Sequence, residues 1–320
     1  DDFYANSRGG AIYMSGGTLT NISITNSQSQ AWGGAIVNLT NPLIINGTSN
    51  TFTNNYVLNG TASSDLGGSI YNDANLTIAN AAFTGRGSLQ LDAYYGGAIY
   101  MKGTGGTLTI SDSTFENYYV NSQGGAIYMN GGELSGVSFS NCVSNAWGGA
   151  IYNHTNQLII SGTGNTFSSN YTKTGTATSD LGGSIKSAAN LTISNTSFTG
   201  DNDASSDAYR GGAIYMDSGK TLEVTDSSFT DFFTSNAGGA VYSRAATFNR
   251  TTFSNNTSNS LGGAVRADGA ATTYINSTFS GNSAATGGAI NASTTCTVKS
   301  STFYNNSASS SADTIAGATC

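Results

Sequence analysis

The hexapeptide GGAIYM occupies residues 9–14 and recurs at 96–101, 124–129 and 211–216. Relaxing it to Gly-Gly-[Ala/Ser]-[Ile/Val] gives eleven copies, which cover the chain from one end to the other. Their first glycines are Gly9, Gly33, Gly67, Gly96, Gly124, Gly148, Gly182, Gly211, Gly238, Gly262 and Gly287. A motif that returns every 24 to 34 residues indicates a repeat protein, in which each unit buries its apolar face against the next.

The intervals between copies form a pattern of four unequal units. They run 24, 34, 29 and 28 residues, then 24, 34, 29 and 27, then 24 and 25. A block at 9–123 is therefore duplicated at 124–237 and partly repeated from 238. We predict a single solenoid domain over residues 1–320.

Each unit contains three short segments that favour extended backbone: the GAIY segment, a segment such as Thr107–Ile110, and a Thr-Phe or Ser-Phe segment. Apolar and polar residues alternate in them with the period of two that marks a half-buried strand. Turn residues separate the segments. This pattern predicts an all-β fold, a right-handed parallel β-helix of about eleven to twelve coils.

In such a helix, equivalent side chains of successive coils form columns. The aliphatic residue of the repeat, represented by Ile12, Ile36, Ile127 and Ile151, is predicted to form one inward column. The glycine pairs are predicted to turn the corner before it with positive φ. These pairs include Gly9–Gly10, Gly33–Gly34, Gly124–Gly125 and Gly148–Gly149.

A second inward column is predicted from phenylalanine, with Ile24 in one early unit. Its members are Phe52, Phe83, Phe115, Phe139, Phe167, Phe198, Phe229, Phe253, Phe279 and Phe303. Asparagine follows three residues later in the pairs Phe3–Asn6, Phe52–Asn55, Phe167–Asn170, Phe253–Asn256, Phe279–Asn282 and Phe303–Asn306. We expect these asparagines to take a left-handed turn and to hydrogen-bond their equivalents in neighbouring coils.

Repeated GGA[I/V/L] together with FxxN resembles the polymorphic outer-membrane proteins of chlamydiae and related autotransporter-like β-helix passengers. The resemblance covers nearly the whole chain, with eleven copies of the first motif and six of the second. It implies a surface-displayed β-helical passenger, exported by an autotransporter route, that acts as an adhesin. The longest variable loops follow Phe52 and Phe167, 115 residues apart, and are predicted to project along one side.

Composition excludes several classes of partner. Charged residues make up 9% of the chain and the net charge is −7, so no basic patch is present to bind nucleic acid or an anionic membrane. No run of about 20 apolar residues predicts a direct membrane span. The first residue is Asp1, which favours a processed mature region or an excised segment.

The sequence gives little support to an enzymatic function. A polysaccharide-degrading β-helix needs clustered carboxylates, whereas Asp65 and Asp180, like Asp92 and Asp207, recur 115 residues apart and are interpreted as turn or capping residues. His154 is the only histidine, which excludes a histidine-based triad. We predict no enzyme and no cofactor.

Three smaller features carry weaker predictions. Asp201, Asp203 and Asp207 form a weak candidate calcium site. Cys296 and Cys320 lie 24 residues apart, about one coil, and are the disulfide candidate, while Cys142 is interpreted as a small buried residue rather than a reactive thiol. Trp32 and Trp147 precede glycine pairs, where they either stack on sugar rings or pack at a corner.

The sequence thus favours a non-enzymatic, extracellular or cell-surface structural or adhesive rod. Its expected partners are a host receptor or glycan, or a second copy stacked head to tail into a filament. The alternative is a carbohydrate-binding or polysaccharide-degrading β-helix. A second alternative is an ice-binding protein, although the Thr-Leu-Thr strand that would form its face reads PLII at Pro42 and QLII at Gln157.

Overall fold

The computed structural model describes residues 1–87, 90–103, 105–173, 175–201, 207–310 and 314–319. In these residues the chain forms a β-solenoid of about twelve turns, all of it strands, turns and bends without a helix. Every strand pair is parallel, and each coil pairs with the coil before and after it. The predicted all-β parallel β-helix is confirmed.

The first strand of each coil follows a glycine pair, except for the last one, Ile315–Thr319. These strands are Ile12–Met14, Ile36–Asn38, Ile70–Asn72, Ile99–Met101, Ile127–Met129, Ile151–Asn153, Ile185–Ser187, Ile214–Met216, Val241–Ser243, Val265–Ala267, Ile290–Lys299 and Ile315–Thr319. Their first residues lie in register from Ile12 through Ile290 to Ile315. The column is buried, with only its end members Ile12 and Ile315 partly exposed, and forms part of one continuous apolar core.

The second and third strands meet at a bend. The second strands are Gly17–Thr20, Leu43–Asn46, Leu76–Ala79, Leu108–Glu116, Gly132–Ser140, Leu158–Ser161, Leu191–Ser194, Thr221–Thr225, Ala245–Asn249 and Thr272–Ile275. Leu108–Glu116 and Gly132–Ser140 also form the third strand of their coils. Ile290–Lys299 continues from the first strand of its coil into the second. The other third strands are Ser23–Thr25, Asn50–Thr53, Ala81–Thr84, Asn165–Ser168, Thr196–Thr199, Ser228–Thr230, Thr252–Ser254, Thr278–Ser280 and Thr302–Tyr304.

A fourth short strand, absent from the sequence prediction, closes each coil. These strands are Tyr4–Ala5, Gln28–Ser29, Tyr56–Val57, Ala93–Tyr95, Tyr119–Gln123, Val143–Ser144, Tyr171–Thr172, Ala208–Arg210, Phe233–Ala237, Thr257–Ser258, Ser283–Ala284 and Ser307–Ala308. They form separate sheets of three, four and five strands, whereas the other strands belong to one sheet of 31. The separate sheets end where the loops at 85–92 and 200–207 enter.

The phenylalanine column is stacked ring on ring. Its neighbouring rings lie 4.6–5.0 Å apart between centroids, with interplanar angles of 0–13°. Ile24 pairs with Phe52 and starts the column, as expected. Parallel rings over so many coils mean that the third strands twist little from one coil to the next.

The two glycines of each pair do different things. The first has φ between 54° and 69° in all eleven copies, so only it takes the predicted positive φ. The second position has no room for a side chain, because a Cβ on Gly34 would collide with the carbonyl oxygens of Gly68 and Tyr56. The same clash, with the carbonyl of the next glycine pair, recurs at Gly10, Gly125 and Gly149. The predicted positive φ at the corner is thus supplied by the first glycine of each pair, and the second glycine has a different role.

The FxxN asparagines hydrogen-bond between coils but do not adopt the left-handed turn. The Asn170 Oδ1 accepts from the Cys142 backbone N at 3.0 Å, and its Nδ2 donates to the Phe139 carbonyl at 3.0 Å. The positive φ belongs to the preceding residue, such as Ser169 at 50°. Phe3 is out of register with the phenylalanine column, because Tyr4 pairs with Gln28, which places Phe3 at the asparagine position.

Asparagine contacts between equivalent positions are present towards the C-terminal coils. The Asn256 Nδ2 donates to Asn282 Oδ1 at 3.0 Å, and the Asn282 Nδ2 donates to Asn306 Oδ1 at 2.8 Å. Asn55 instead bonds only the preceding coil, accepting from the Ser27 N at 2.9 Å and donating to the Ile24 carbonyl at 2.9 Å. Each of these side chains satisfies backbone groups at the bend where the chain leaves the sheet.

Candidate functional site

Hydroxyl side chains flank the phenylalanine column on the outside of the third strands. Because side chains alternate along a strand, the residues on either side of an inward Phe point outward. One column is Ser23, Thr51, Ala82, Thr114, Ser138, Thr166, Ser197, Ser228, Thr252, Thr278 and Thr302. The other is Thr25, Thr53, Thr84, Glu116, Ser140, Ser168, Thr199, Thr230, Ser254, Ser280 and Tyr304. We call these two columns the hydroxyl face.

The hydroxyl face is regular and almost uncharged. The stacked rings beneath it lie 4.6–5.0 Å apart along the solenoid, with neighbouring ring planes within 13° of parallel. Glu116 is its one charged residue among the columns named above. The Thr-Leu-Thr pattern considered in the sequence belongs to the second strand. The sequence signal for the hydroxyl face is a Ser or Thr on each side of Phe in the third strand, and it was missed.

Neighbouring hydroxyls of the face hydrogen-bond to each other across coils. The Thr51 Oγ1 donates to Ser23 Oγ at 2.8 Å, and the Thr166 Oγ1 donates to Ser138 Oγ at 2.8 Å. A hydroxyl has one donor and two acceptor positions, so each retains capacity for a further partner. The bonds hold the side chains in one orientation, which prearranges the face for contact with another polar surface.

A second outward surface carries aromatic and cationic side chains. It comprises the residue before each glycine pair and the second residue of each first strand, and we call it the aromatic flank. Its main members are Arg8, Trp32, Tyr71, Tyr95, Tyr100, Tyr128, Trp147, Tyr152, Lys186, Arg210, Tyr215 and Tyr242.

The tryptophans of this flank pack against their neighbours. Tyr71 of the following coil stacks on Trp32 at 4.5 Å between centroids, and the Arg8 Cζ of the preceding coil lies 3.4 Å from the ring centroid. Around Trp147, the Lys186 Nζ lies 4.4 Å from the ring centroid and Tyr152 packs at 5.4 Å. Of the two readings left open by the sequence, these contacts favour corner packing over sugar stacking, because the ring faces are occupied.

Lys186 replaces a tyrosine within this flank. It pairs in register with Tyr152 and Tyr215, is almost fully buried, and forms an ion pair of 2.7 Å with Asp217. Burial lowers the pKa of the Lys186 amine, and the Asp217 carboxylate opposes that change. The lysine therefore serves as a cation enclosed by aromatic rings, a stabilising arrangement within a column.

The aspartates singled out in the sequence bind backbone groups. The Asp65 Oδ2 accepts from the Ala62 N at 3.0 Å and the Asp180 Oδ2 from the Ala177 N at 2.9 Å, both within turns. All four carboxylates are buried, and Asp92 and Asp207 lie just before the fourth strands Ala93–Tyr95 and Ala208–Arg210 and bind the next coil. The Asp92 Oδ2 accepts from the Tyr119 N at 3.0 Å, and the Asp207 Oδ2 from the Phe233 N at 2.7 Å.

The candidate calcium residues differ in environment. Asp201 is exposed and Asp207 is buried against the next coil, while Asp203 lies outside the described residues. Within the described ranges, no group of three or more His, Cys, Asp or Glu side chains is placed to hold a metal ion. The hydrogen bond from Phe233 gives Asp207 a structural contact that the sequence did not predict.

The cysteines fall into two classes. Cys142 is free and fully buried, and burial raises the pKa of its thiol to about 12, so the thiol stays protonated at neutral pH. This agrees with its interpretation as a small buried residue. Cys296 is buried and disulfide-bonded, whereas its predicted partner Cys320 lies outside the described residues.

The repeat type is identified by one stretch of the chain. Residues 250–268 match the model of the Chlamydia polymorphic membrane protein repeat. The stretch contains Phe253–Asn256 and the glycine pair Gly262–Gly263, both of the predicted motifs. The predicted resemblance to polymorphic membrane protein repeats is confirmed.

The polymorphic membrane protein family is surface-associated, which fits the predicted cell-surface location at a coarse level. No curated protein and no solved structure matches the chain. A search for membrane spans finds, in the described part of the chain, no helix long and apolar enough to cross a bilayer.

Proposed function

We propose that this chain is a non-enzymatic, extracellular adhesive rod of the cell surface, and that the hydroxyl face is its contact surface. The observation that carries the proposal is the flat double column of Ser and Thr hydroxyls over stacked Phe rings. One hydroxyl contact is weak, but a row repeated in every coil binds an extended polar partner through many simultaneous contacts. A glycan-covered surface has the matching polarity and repetition.

The polymorphic membrane protein repeat supports this placement at a surface. The near absence of charge on the face supports a neutral, hydroxyl-rich partner rather than an ionic one. Export by an autotransporter route is part of the same proposal and rests on the repeat type alone.

The test is adhesion of the immobilised chain to host cells and to glycan-coated beads. In the variant Ser138→Tyr, Thr166→Tyr, Ser197→Tyr, three bulky rings interrupt one column of the face over three coils. Tyrosine favours strands, so the fold should persist, which circular dichroism checks. We expect at least a roughly tenfold loss of bound cells or beads.

A matched control places the same three rings on the same coils. Glu133→Tyr, Ile159→Tyr and Thr192→Tyr alter outward positions of the second strands and leave the hydroxyl face intact. Unchanged adhesion in the control is expected. Equal adhesion of both variants and the parent chain would show that the hydroxyl face is not the contact surface.

A second copy remains a proposed partner as well. Head-to-tail stacking of rods would produce species longer than one chain, in a fraction that increases with concentration. Sedimentation velocity over a range of concentrations measures this directly. A single species at every concentration would remove self-assembly from the proposal and leave the adhesive role.

Ice binding is the second candidate function, favoured by the regularity of the same face. The Phe rings that underlie the hydroxyl columns repeat at 4.6–5.0 Å along the solenoid. The two columns lie about 6.6 Å apart along each strand, because their residues are two positions apart. A flat, periodic lattice of hydroxyls is the geometry that a crystalline water surface requires. Thermal hysteresis of the parent chain, lost in the Ser138/Thr166/Ser197 variant and kept in the control, would assign this function; freezing-point behaviour like that of an inert protein would exclude it.

A further inference from the structure

A polar cavity of about 490 Å³ opens beside the first coils, where the hydroxyl face borders the fourth strands. One wall consists of Asp2, Asn26 and Asn54, which carry the left-handed turn in three successive coils. Asn26 and Asn54 directly follow the third strands Ser23–Thr25 and Asn50–Thr53, so the cavity begins where the hydroxyl face ends. Its volume lies in the range of small-molecule sites.

The side chains of this wall are fixed by a chain of hydrogen bonds. The Asn54 Nδ2 donates to Asn26 Oδ1 at 3.3 Å, and the Asn26 Nδ2 donates to Asp2 Oδ1 at 3.0 Å. On the fourth strands, the Tyr56 hydroxyl donates to Gln28 Oε1 at 2.5 Å. That bond occupies the oxygen of the Gln28 amide and leaves its N–H donors for a ligand.

The loop at 85–92 supplies the remaining lining residues, Arg86 and Gln90. The Arg86 Cζ lies 3.5 Å from the centroid of the Tyr56 ring. Its Nε donates to Asp92 Oδ1 at 3.3 Å, and its Nη2 donates to the carbonyl oxygen of Leu91. The ring contact and these two hydrogen bonds hold the guanidinium in one position.

The chemistry of the lining selects one class of ligand. Carboxamides, a carboxylate and a guanidinium each present two hydrogen-bonding groups in a plane, which match adjacent hydroxyls of a sugar ring. Among the described lining residues, Asp2 and Arg86 contribute one charge of each sign, so neither a strong anion nor a polycation is favoured. The Tyr56 ring in this lining is covered by Arg86.

We propose that this cavity binds a neutral saccharide. The inference deepens the adhesive function proposed above by naming the ligand class of a discrete site next to the hydroxyl face. The site belongs to the first block alone: 115 residues later, Gln28 is replaced by Val143, Asn54 by Ser169 and Arg86 by Asp201.

Because the two blocks share one fold, each block shows which residues the other can accept at equivalent positions. In the variant Gln28→Val, Asn54→Ser, the first block takes the residues of the second at two lining positions. The control variant, Val143→Gln with Ser169→Asn, makes the reverse exchange in the second block. Gln90→Ala, on an exposed part of the loop, is a further variant that does not depend on strand packing.

The measurement is saturation-transfer NMR of the purified chain with glucose, galactose, mannose and N-acetylglucosamine, followed by titration. We expect transfer to at least one sugar with millimolar affinity, weakened roughly tenfold in Gln28→Val, Asn54→Ser and unchanged in the control. Gln90→Ala should weaken it less. Absence of transfer to all four sugars, or equal affinity in the parent, the double variant and Gln90→Ala, would overturn the proposal.

Free sugars require no cell or coated surface, so the two proposals fail separately. Saturation transfer without adhesion would overturn the adhesive function and support this site. Adhesion without saturation transfer would overturn this site and support the hydroxyl face.

Discussion

The first three strands of each coil and the fourth strand differ in how far their pairing continues. The first three belong to one sheet of 31 strands, while the fourth strands divide into sheets of three, four and five. The divisions fall at two loops 115 residues apart, each closed by a buried aspartate, Asp92 or Asp207. Where strand pairing is continuous, columns such as those of Ile and Phe keep one residue type from coil to coil. At the interruptions, the sequences of the two blocks differ.

We expect the continuous strands to determine the stability of the solenoid, and the interruptions to determine what it binds. Columns such as the Phe rings depend on neighbours of the same type above and below, so a change in one coil is felt by two others. At an interruption the two blocks carry different residues, as Arg86 and Asp201 at equivalent positions illustrate. The predictions below test this separation, from the largest expected effect to the smallest.

The largest effect is expected in the continuous part, at Phe167→Ala. Phe167 is fully buried and stacks on Phe139 and Phe198, with centroids 4.8 Å from each. Removing the ring leaves a cavity between two others and should lower the free energy of unfolding by about 3–5 kcal/mol. Urea denaturation monitored by circular dichroism measures the change.

Phe303→Ala is the matched control for that substitution. Phe303 stacks on Phe279 at 4.7 Å but is partly exposed, so less apolar surface is lost. We expect a smaller loss of stability than for Phe167→Ala. Equal losses would mean that the column does not act through burial between two neighbours.

Gly34→Ala should destabilise the corner of the coil by about 3 kcal/mol. The added methyl group would meet the carbonyl oxygens of Gly68 and Tyr56, which are backbone atoms and cannot rotate away. The control Gly87→Ala has φ 91° but nothing within 4 Å of the new Cβ, and should cost about 1 kcal/mol. If the two variants melt at the same temperature, close approach does not explain the second glycine.

Residues that recur once in each coil could be predicted from the sequence, whereas contacts that form only between coils could not. The Ile and Phe columns were visible because each coil carries one inward aliphatic and one inward aromatic residue. The contact that excludes a side chain at Gly34 joins residues 34 positions apart, and no pattern inside a single coil contains it. The same holds for the hydroxyl face, which exists only once the third strands are in register.

The fourth strand and the buried aspartates were missed for a related reason. Fourth strands such as Tyr56–Val57 are two residues long, too short to show alternation. Asp92 and Asp207 follow loops rich in turn residues, so their sequence context matches that of Asp65, which does cap a turn. All four aspartates are buried, but only the path of the chain after residues 92 and 207 determines that these two carboxylates bind a backbone N of the next coil.

A moderate effect is expected for Asn170→Ala, which removes a side chain that serves two backbone groups. The Cys142 N and the Phe139 carbonyl would both lose a buried partner, which should lower the free energy of unfolding by about 2 kcal/mol. The control Ser168→Ala alters the hydroxyl face two residues away and should stay within about 0.5 kcal/mol of the parent. A loss as small as that of the control would mean that water replaces the asparagine.

The last effect concerns the interruption and is seen only as a dependence on pH, at Asp92→Asn. Burial raises the pKa of Asp92 to about 7, and the hydrogen bond from Tyr119 and the Arg86 guanidinium only partly oppose it. In the unfolded chain the pKa is about 3.9, so between these values the folded protein binds the proton more tightly. The stability due to this proton is complete below about pH 4 and is lost as the pH rises through 7.

Asparagine at position 92 cannot ionise yet still offers an oxygen to the Tyr119 N, so the variant should lack this component of the pH dependence. We expect the difference in free energy of unfolding, variant minus parent, to become more positive from pH 4.5 to pH 7.5, measured by urea denaturation at each pH. A difference that stays constant over this range would mean that Asp92 titrates as an ordinary carboxyl and is ionised in the folded chain. The loop at 85–92 would then be held by a permanent ion pair with Arg86, and the interruption would be as insensitive to pH as the continuous sheet beside it.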